Sequence, residues 1–184
     1  MLQIQENVSL KNFNTFGIDV SARYFVEIAH EDDLVELFMD PQWLTVNRLL
    51  MGGGSNMLLK KDFDGLVIRI NIRGIEHRLS QDDVFVEAGA GEVWNDLVNY
   101  CVDRGYAGIE NLSLIPGSVG ASPIQNIGAY GVELKDVFKS CRAFEIATSQ
   151  FKTFDKEDCG FGYRDSVFKG ALREQYIIVS VKFH

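Results

Sequence analysis

The chain has 184 residues, 46% of them hydrophobic and 24% charged, with a net charge of −8. That is enough for one domain or two small ones. The absence of any basic block argues against nucleic acid as a partner, and no apolar run reaches the 18 residues of a membrane-spanning helix. The first residues, Met1-Leu2-Gln3-Ile4-Gln5, are too polar for a signal peptide. Cys101, Cys141 and Cys159 are odd in number and have no C-x-x-C spacing, which points to a reducing, cytoplasmic setting and to small buried apolar roles.

In chain order, Asn12-Phe13-Asn14-Thr15-Phe16-Gly17 reads as a turn and residues 24–28 as a strand. A helix is expected from 31, with an acidic first turn, an apolar face of Leu34, Leu37 and Phe38, and a stop at Asp40-Pro41. Residues 48–51 form a short strand that runs into Gly52-Gly53-Gly54-Ser55-Asn56. Residues 65–70, 74–79 and 83–88 read as three strands of a meander, followed by a helix over 92–104 with Gly105 as its stop. Residues 137–146 and 176–183 supply further strands. The expected class is α+β in two lobes, 1–64 and 65–184, meeting near Gly65.

The stretch 112–133 holds four glycines and two prolines and has no charged side chain before Glu133. So many breakers exclude a core helix or strand, and so few charges are unlike a surface loop. A buried, irregular backbone has N–H groups in need of partners, which suits a polar anionic ligand. The plainer alternative is a glycine-rich connection with no ligand. Gly52–Asn56 is a second such segment, and two of them from different lobes could grip one extended dinucleotide.

Ala88-Gly89-Ala90-Gly91-Glu92-Val93-Trp94 begins like the dinucleotide fingerprint G-x-G-x-x-G, but Trp94 stands where the third glycine belongs. It is read instead as a tight turn followed by a core tryptophan. His30, His77 and His184 are scattered, so no metal site is expected. In Phe161-Gly162-Tyr163-Arg164-Asp165-Ser166 the arginine is a candidate clamp for a carboxylate or developing oxyanion; a plain surface pair of Arg164 with Asp165, or a stacked structural arginine, is the other reading.

Taken together, 50–56, 115–131 and 162–169, with Asn14-Thr15-Phe16-Gly17, resemble the UDP-N-acetylenolpyruvoylglucosamine reductase family along the whole chain. The resemblance implies the two-lobed FAD-binding fold of the vanillyl-alcohol oxidase and p-cresol methylhydroxylase type, with non-covalent FAD and NADPH as co-substrate. The implied substrate is UDP-N-acetylglucosamine enolpyruvate, reduced to UDP-N-acetylmuramate for peptidoglycan. Hydride reaches the enol carbon distant from the carboxylate, and a proton is added at the neighbouring carbon. Arg164 is implied as the catalytic residue at the carboxylate, and Tyr130 and Tyr163 as substrate-facing. Gly52, Gly53, Gly54, Ser55 and Asn56 are implied around the FAD pyrophosphate. Ile115, Pro116, Gly117, Ser118, Ala121, Ile124, Asn126, Gly128 and Ile178 complete the implied cofactor contacts.

The family's proton-donating serine, in a Gly-Ser-Phe-Phe-Lys-Asn-Pro-like motif, and its later catalytic glutamate have no match in this sequence. The expectation is a piece that carries the FAD-binding part, a monomer with no nucleic-acid or membrane partner and little turnover of its own. A non-catalytic flavin-binding module or remnant of the same fold, and an oxidase of that fold with another substrate, are the alternatives.

Overall fold

The computed structural model describes residues 2–81 and 83–184. The chain begins with β1 (Gln5–Ser9) and β2 (Ser21–Ile28), continues through α1 (Glu31–Met39) and α2 (Gln42–Thr45), and returns as β3 (Arg48–Met51) and β4 (Phe63–Ile70). These four strands form one sheet in the order β1-β2-β4-β3, antiparallel at β1–β2 and parallel across β2–β4 and β4–β3. The Asp33 carboxylate accepts the Ala29 and His30 N–H groups, both at 2.8 Å, and so closes the start of α1. At its other end Asp40 is extended ahead of Pro41, as the proline ring requires.

After a short connection come β5 (Ile75–Ser80) and β6 (Asp83–Gly89), then α3 (Trp94–Val102). The glycine-rich region follows, with a small hairpin of β7 (Gly128–Ala129) and β8 (Val132–Glu133) leading into α4 (Leu134–Val137). The chain closes with β9 (Phe138–Glu145), β10 (Gln150–Asp155) and β11 (Tyr176–Phe183). The second sheet, in the order β10-β9-β11-β6-β5, is antiparallel throughout.

Three expectations change. Residues 65–70 do not open a meander: β4 lies between β2 and β3 in the first sheet, so only β5 and β6 form a hairpin of the second. Leu66, Val67 and Ile68 form an unbroken buried run, as a central strand covered on both faces demands. The seam between sheets accordingly falls in the 71–74 connection, not at 64/65. The expected helix over 92–104 is shorter, because Glu92 leaves it to accept the Gly74 N–H at 2.6 Å and to pair with Arg73.

Strand alternation divides the apolar side chains among three cores. On β4, Leu66 and Ile68 face the helix α1, whereas Val67 faces the opposite side, toward Phe25 and Met51. On β11, Ile177 and Val179 join Leu66, Ile68 and α1 in the layer between the two sheets. An irregularity between Ile178 and Ser180 resets the phase, so Ile178 and Val181 both face the other core, beneath α3. Phe38 of α1 stacks on Phe144 of β9 at 5.6 Å, and Arg142 reaches Glu31 at 2.9 Å. The sheets are therefore held by a shared apolar layer, with their glycine loops along one side of it.

Candidate functional site

The first loop leaves β3 at Gly52. Among the described residues, the N–H groups of Gly53, Gly54, Ser55 and Asn56 have no protein acceptor. Gly54 has a φ of +63°, and a Cβ there would collide with the carbonyl of Phe13. Only glycine fits that approach, and the Gly54 carbonyl takes the Thr15 N–H at 3.3 Å. The turn around Asn12–Gly17 is thus the outer support of the nest. Asn14 braces it, donating to the Leu10 and Ile18 carbonyls at 2.7 and 2.9 Å.

The second loop is built differently. Gly117 and Val119 bond back to the start of α3, through Trp94 N–H to Gly117 O at 3.0 Å and Val119 N–H to Glu92 O at 2.9 Å. Gly120 N–H reaches Ala90 O at 2.9 Å, and a Cβ on Gly120 would lie 2.5 Å from that of Ala90. The Trp94 indole, 1% exposed, donates to Leu112 O at 2.7 Å. This explains the misleading 88–94 motif: Gly89 and Gly91 lie against the backbone of Asn71 and Ile72, so close approach of two chain segments requires them, not a cofactor. Between its bonded neighbours, Ser118 keeps an N–H with no acceptor among the described residues, as does Gly117.

Two tight hairpins present the candidate polar groups. In the first, Tyr130 and Gly131 both have positive φ, 52° and 83°, the geometry of a two-residue β7–β8 turn. In the second, Gly162 and Asp165 exchange backbone bonds of 3.0 and 3.3 Å around Tyr163 and Arg164, and Arg164 has φ +53°. Tyr130 and Tyr163 are 89% and 86% exposed. The fully buried Asn126 ties the hairpins together, donating to Gly162 O at 2.9 Å and accepting Lys135 N–H at 3.0 Å. Ser166 adds a bond to Ile124 O at 2.7 Å, and the Arg164 guanidinium donates to Gly128 O. The Arg164–Asp165 surface pair weighed from sequence does not form.

Both glycine loops border one cleft with two adjoining chambers. The smaller, about 270 Å³, is lined by Ser55, Asn56, Pro116, Gly117, Ser118, Ala121 and Ile124, with Gln125 and Lys169. The larger, about 520 Å³, takes in Gly52, Ser118, Ala121, Ile124 and Ile178 and extends along β3 and β11. Gly52 and Ser118 bring the loops together: a Cβ on Gly52 would strike the Ser118 hydroxyl. Gly53 and Gly54 stand just outside the lining, in the nest itself. Three implied cofactor contacts have other places. Ile115 packs on the main core, the Asn126 amide is spent within the protein, and Gly128 opens β7, its carbonyl taking the Arg164 guanidinium.

The sequence reading missed Lys169, which ended the arginine motif and was the cation next to Arg164 in it. It also missed Gln125 and Arg48, the latter bonded to the Trp43 and Leu44 carbonyls at 3.0 and 2.7 Å on the wall of the larger chamber. The cysteines are all buried and free. Burial pushes the Cys101 thiol up to about 11, and a hydrogen bond with Cys159, followed by burial, raises Cys141 far above the ordinary thiol range. Neither is a ready nucleophile. Among the described residues no cluster of His, Cys, Asp or Glu is arranged for a metal ion, and no helix is long and apolar enough to cross a membrane.

An α+β fold of two sheets whose glycine loops, with unpaired N–H groups, border one cleft suits a dinucleotide-binding protein. Residues 22–153 match the FAD binding domain family, and the chain belongs to that family. In sequence it is similar to the UDP-N-acetylenolpyruvoylglucosamine reductase of Amoebophilus asiaticus, 52% identical over 182 residues that cover 98% of this chain and 53% of that protein. The enzyme of the same name from Pseudomonas savastanoi pv. phaseolicola is 51% identical, covering 99% of this chain and 54% of the relative. The chain thus spans about half the length of the relatives it matches.

In fold it is similar to the crystal structure of UDP-N-acetylenolpyruvylglucosamine reductase from Thermus caldophilus, with TM-score 0.77 and 23% identity, covering all of this chain and 62% of that one. Physcomitrella patens BBE-like 1 aligns with TM-score 0.63 at 12% identity over 99% of this chain and 41% of its own.

Proposed function

We propose that this chain is the FAD-holding part of an NADPH-dependent reductase acting on UDP-N-acetylglucosamine enolpyruvate, which it converts to UDP-N-acetylmuramate for peptidoglycan in the cytoplasm. The observation that carries the reading is a juxtaposition. The loops that carry the unpartnered N–H groups of Gly53–Asn56 and of Gly117–Ser118 meet at the border of one cleft, and the Arg164 hairpin is fastened to the second of them. These residues fit FAD. The N–H groups suit its diphosphate, and Gly54 and Gly52, with no Cβ, let the first loop pack directly on the Phe13 backbone and on Ser118.

Once bound, FAD supplies hydride transfer from NADPH to the enol ether. The residues of this chain hold and polarise. The Arg164 guanidinium spends a donor on Gly128 O and keeps the rest of its fork for a carboxylate. Hydride addition moves charge toward that carboxylate, so a fixed cation there stabilises the product-like state more than the substrate. Tyr130 and Tyr163 project from rigid turns beside it and offer hydroxyls and ring faces to the sugar nucleotide. The second half of the longer relatives would bring the proton donor and cover this exposed rim.

The test is the visible spectrum of the purified chain after addition of FAD and removal of excess. Bound flavin, with a shifted absorption band and quenched fluorescence, is the expected result. A chain that stays colourless at FAD concentrations well above micromolar would overturn the reading.

A further inference from the structure

We infer that Lys169 is the counter-cation of the cleft, its ammonium pairing with the diphosphate of the bound dinucleotide in the chamber that the two backbone nests border. The inference rests on the FAD reading above. With 26 acidic against 18 basic residues, the chain as a whole repels an anion, so any attraction must be local. Lys169 is the charged side chain lining the smaller chamber, whose other walls include Ser55, Asn56, Gly117 and Ser118. The other nearby cations have other places: Arg48 and Arg173 line the larger chamber, where Arg48 is bonded to the Trp43 and Leu44 carbonyls, and Arg164 lines neither chamber.

The lysine is placed, not merely nearby. Ser166 O accepts the Lys169 N–H at 3.1 Å, and the preceding Phe168, 7% exposed, packs edge-on against Phe154 at 5.1 Å. Lys169 Nζ donates to Arg164 O at 2.9 Å. An ammonium has three donors, so two remain for an anion. Lys169 makes no ion pair among the described residues, and a cation beside a row of free N–H groups in an apolar-walled chamber is complementary to a diphosphate.

The inference is tested by titrating FAD and riboflavin, which lacks phosphate, into the unsubstituted chain, K169Q and K169R, at low and at raised salt. K169Q should weaken FAD about tenfold, leave riboflavin unchanged and flatten the salt dependence of FAD affinity. K169R should keep both FAD affinity and the salt slope. Equal losses for both flavins in K169Q would mean that Lys169 only holds the Arg164 turn, and unchanged FAD affinity would remove it from the site; either result overturns the inference. If riboflavin binding is too weak to measure, the salt slope for FAD decides alone. Failure of the unsubstituted chain to take up FAD would instead overturn the proposed function.

Discussion

The two glycine loops have similar composition and opposite construction. The 115–131 loop is fastened at almost every step, to Ala90, Glu92 and Trp94 on one side and to the 162–166 hairpin on the other. Among the described residues, Gly53–Asn56 has a single backbone tie, from Thr15 to Gly54 O, and four N–H groups without acceptors. A rigid floor and an unsatisfied nest divide the work. The floor holds the Arg164 hairpin in place. The nest, whose Gly53 and Asn56 are exposed, leaves its N–H groups to solvent or to a ligand. Substitutions in the floor should therefore cost stability, and substitutions in the nest should cost affinity.

The largest effect is expected at Asn126. Replacing it with alanine removes a fully buried side chain and leaves the half-buried Gly162 O and Lys135 N–H without their partner, at a cost of about 2 kcal/mol and a fall of about 4–8 °C in melting temperature. A calorimetric scan that found Asn126→Ala as stable as the parent would break the contrast at its firmest point. Next comes Arg164→Lys, measured in a full-length protein that contains this chain. Turnover should drop about a hundredfold because a point charge replaces a planar fork, while the melting temperature stays within a degree or two, since Arg164 is exposed. Turnover at the parent level would make Arg164 a structural residue.

Gly53→Ala separates the loops most directly. Its Cβ meets nothing within 4 Å and its φ is not in the left-handed region, so stability should change by no more than about 0.5 kcal/mol. FAD affinity should nevertheless fall about tenfold, because the methyl group crowds the face on which a diphosphate would lie. Equal losses of stability and affinity would mean that the nest is as internally braced as the floor.

Much of this arrangement was legible in the residues, for identifiable reasons. The helix at 31–39 was readable because Leu34, Leu37 and Phe38 repeat at helical spacing and Asp40-Pro41 forbids continuation. Trp94 was readable as core because it stands where a dinucleotide fingerprint needs glycine. The misplacement of residues 65–70 has an equally plain cause. A buried run of Leu, Val and Ile states that both faces are covered but not which sheet covers them; parallel pairing with β2 and β3 is a long-range fact.

Asn126 and Lys169 show the same limit within the site. Asn126 lies inside the most informative motif and looks like a ligand contact, yet its amide joins α4 to the Arg164 hairpin, 36 positions further along the chain. Lys169 closes the arginine motif and looks like a surface charge, yet local folding through Ser166 and Phe168 returns it to the chamber wall. Polar residues reveal that they matter through their company. Only the fold decides whether they serve the protein or its ligand.

The smallest expected effect lies in the sheet, apart from both loops, and so measures stability without touching either. Tyr176 of β11 and Glu145 of β9 are cross-strand partners, and the phenol donates to the carboxylate at 2.6 Å. The Thr148 and Tyr176 hydroxyls hold Glu145 below the usual carboxylate range, and the same bond to Glu145, with some burial, raises the Tyr176 phenol. A depressed carboxylate contributes stability above its ordinary pKa and loses it as pH falls through the lower folded value. A raised phenol contributes below its ordinary pKa and loses it as pH rises through the higher folded value. The contribution is therefore fully present between about pH 5 and pH 10. Tyr176→Phe should lower the melting temperature by about 1 °C within that window, since the pair is open to solvent, and by less at either end. FAD affinity at neutral pH should be unchanged, because the phenol is already occupied by Glu145. A melting-temperature difference that stayed constant from pH 3 to pH 11 would show that the pair does not carry it. A loss of FAD affinity would show that the sheet beneath the larger chamber belongs to the binding surface as fully as the loops above it.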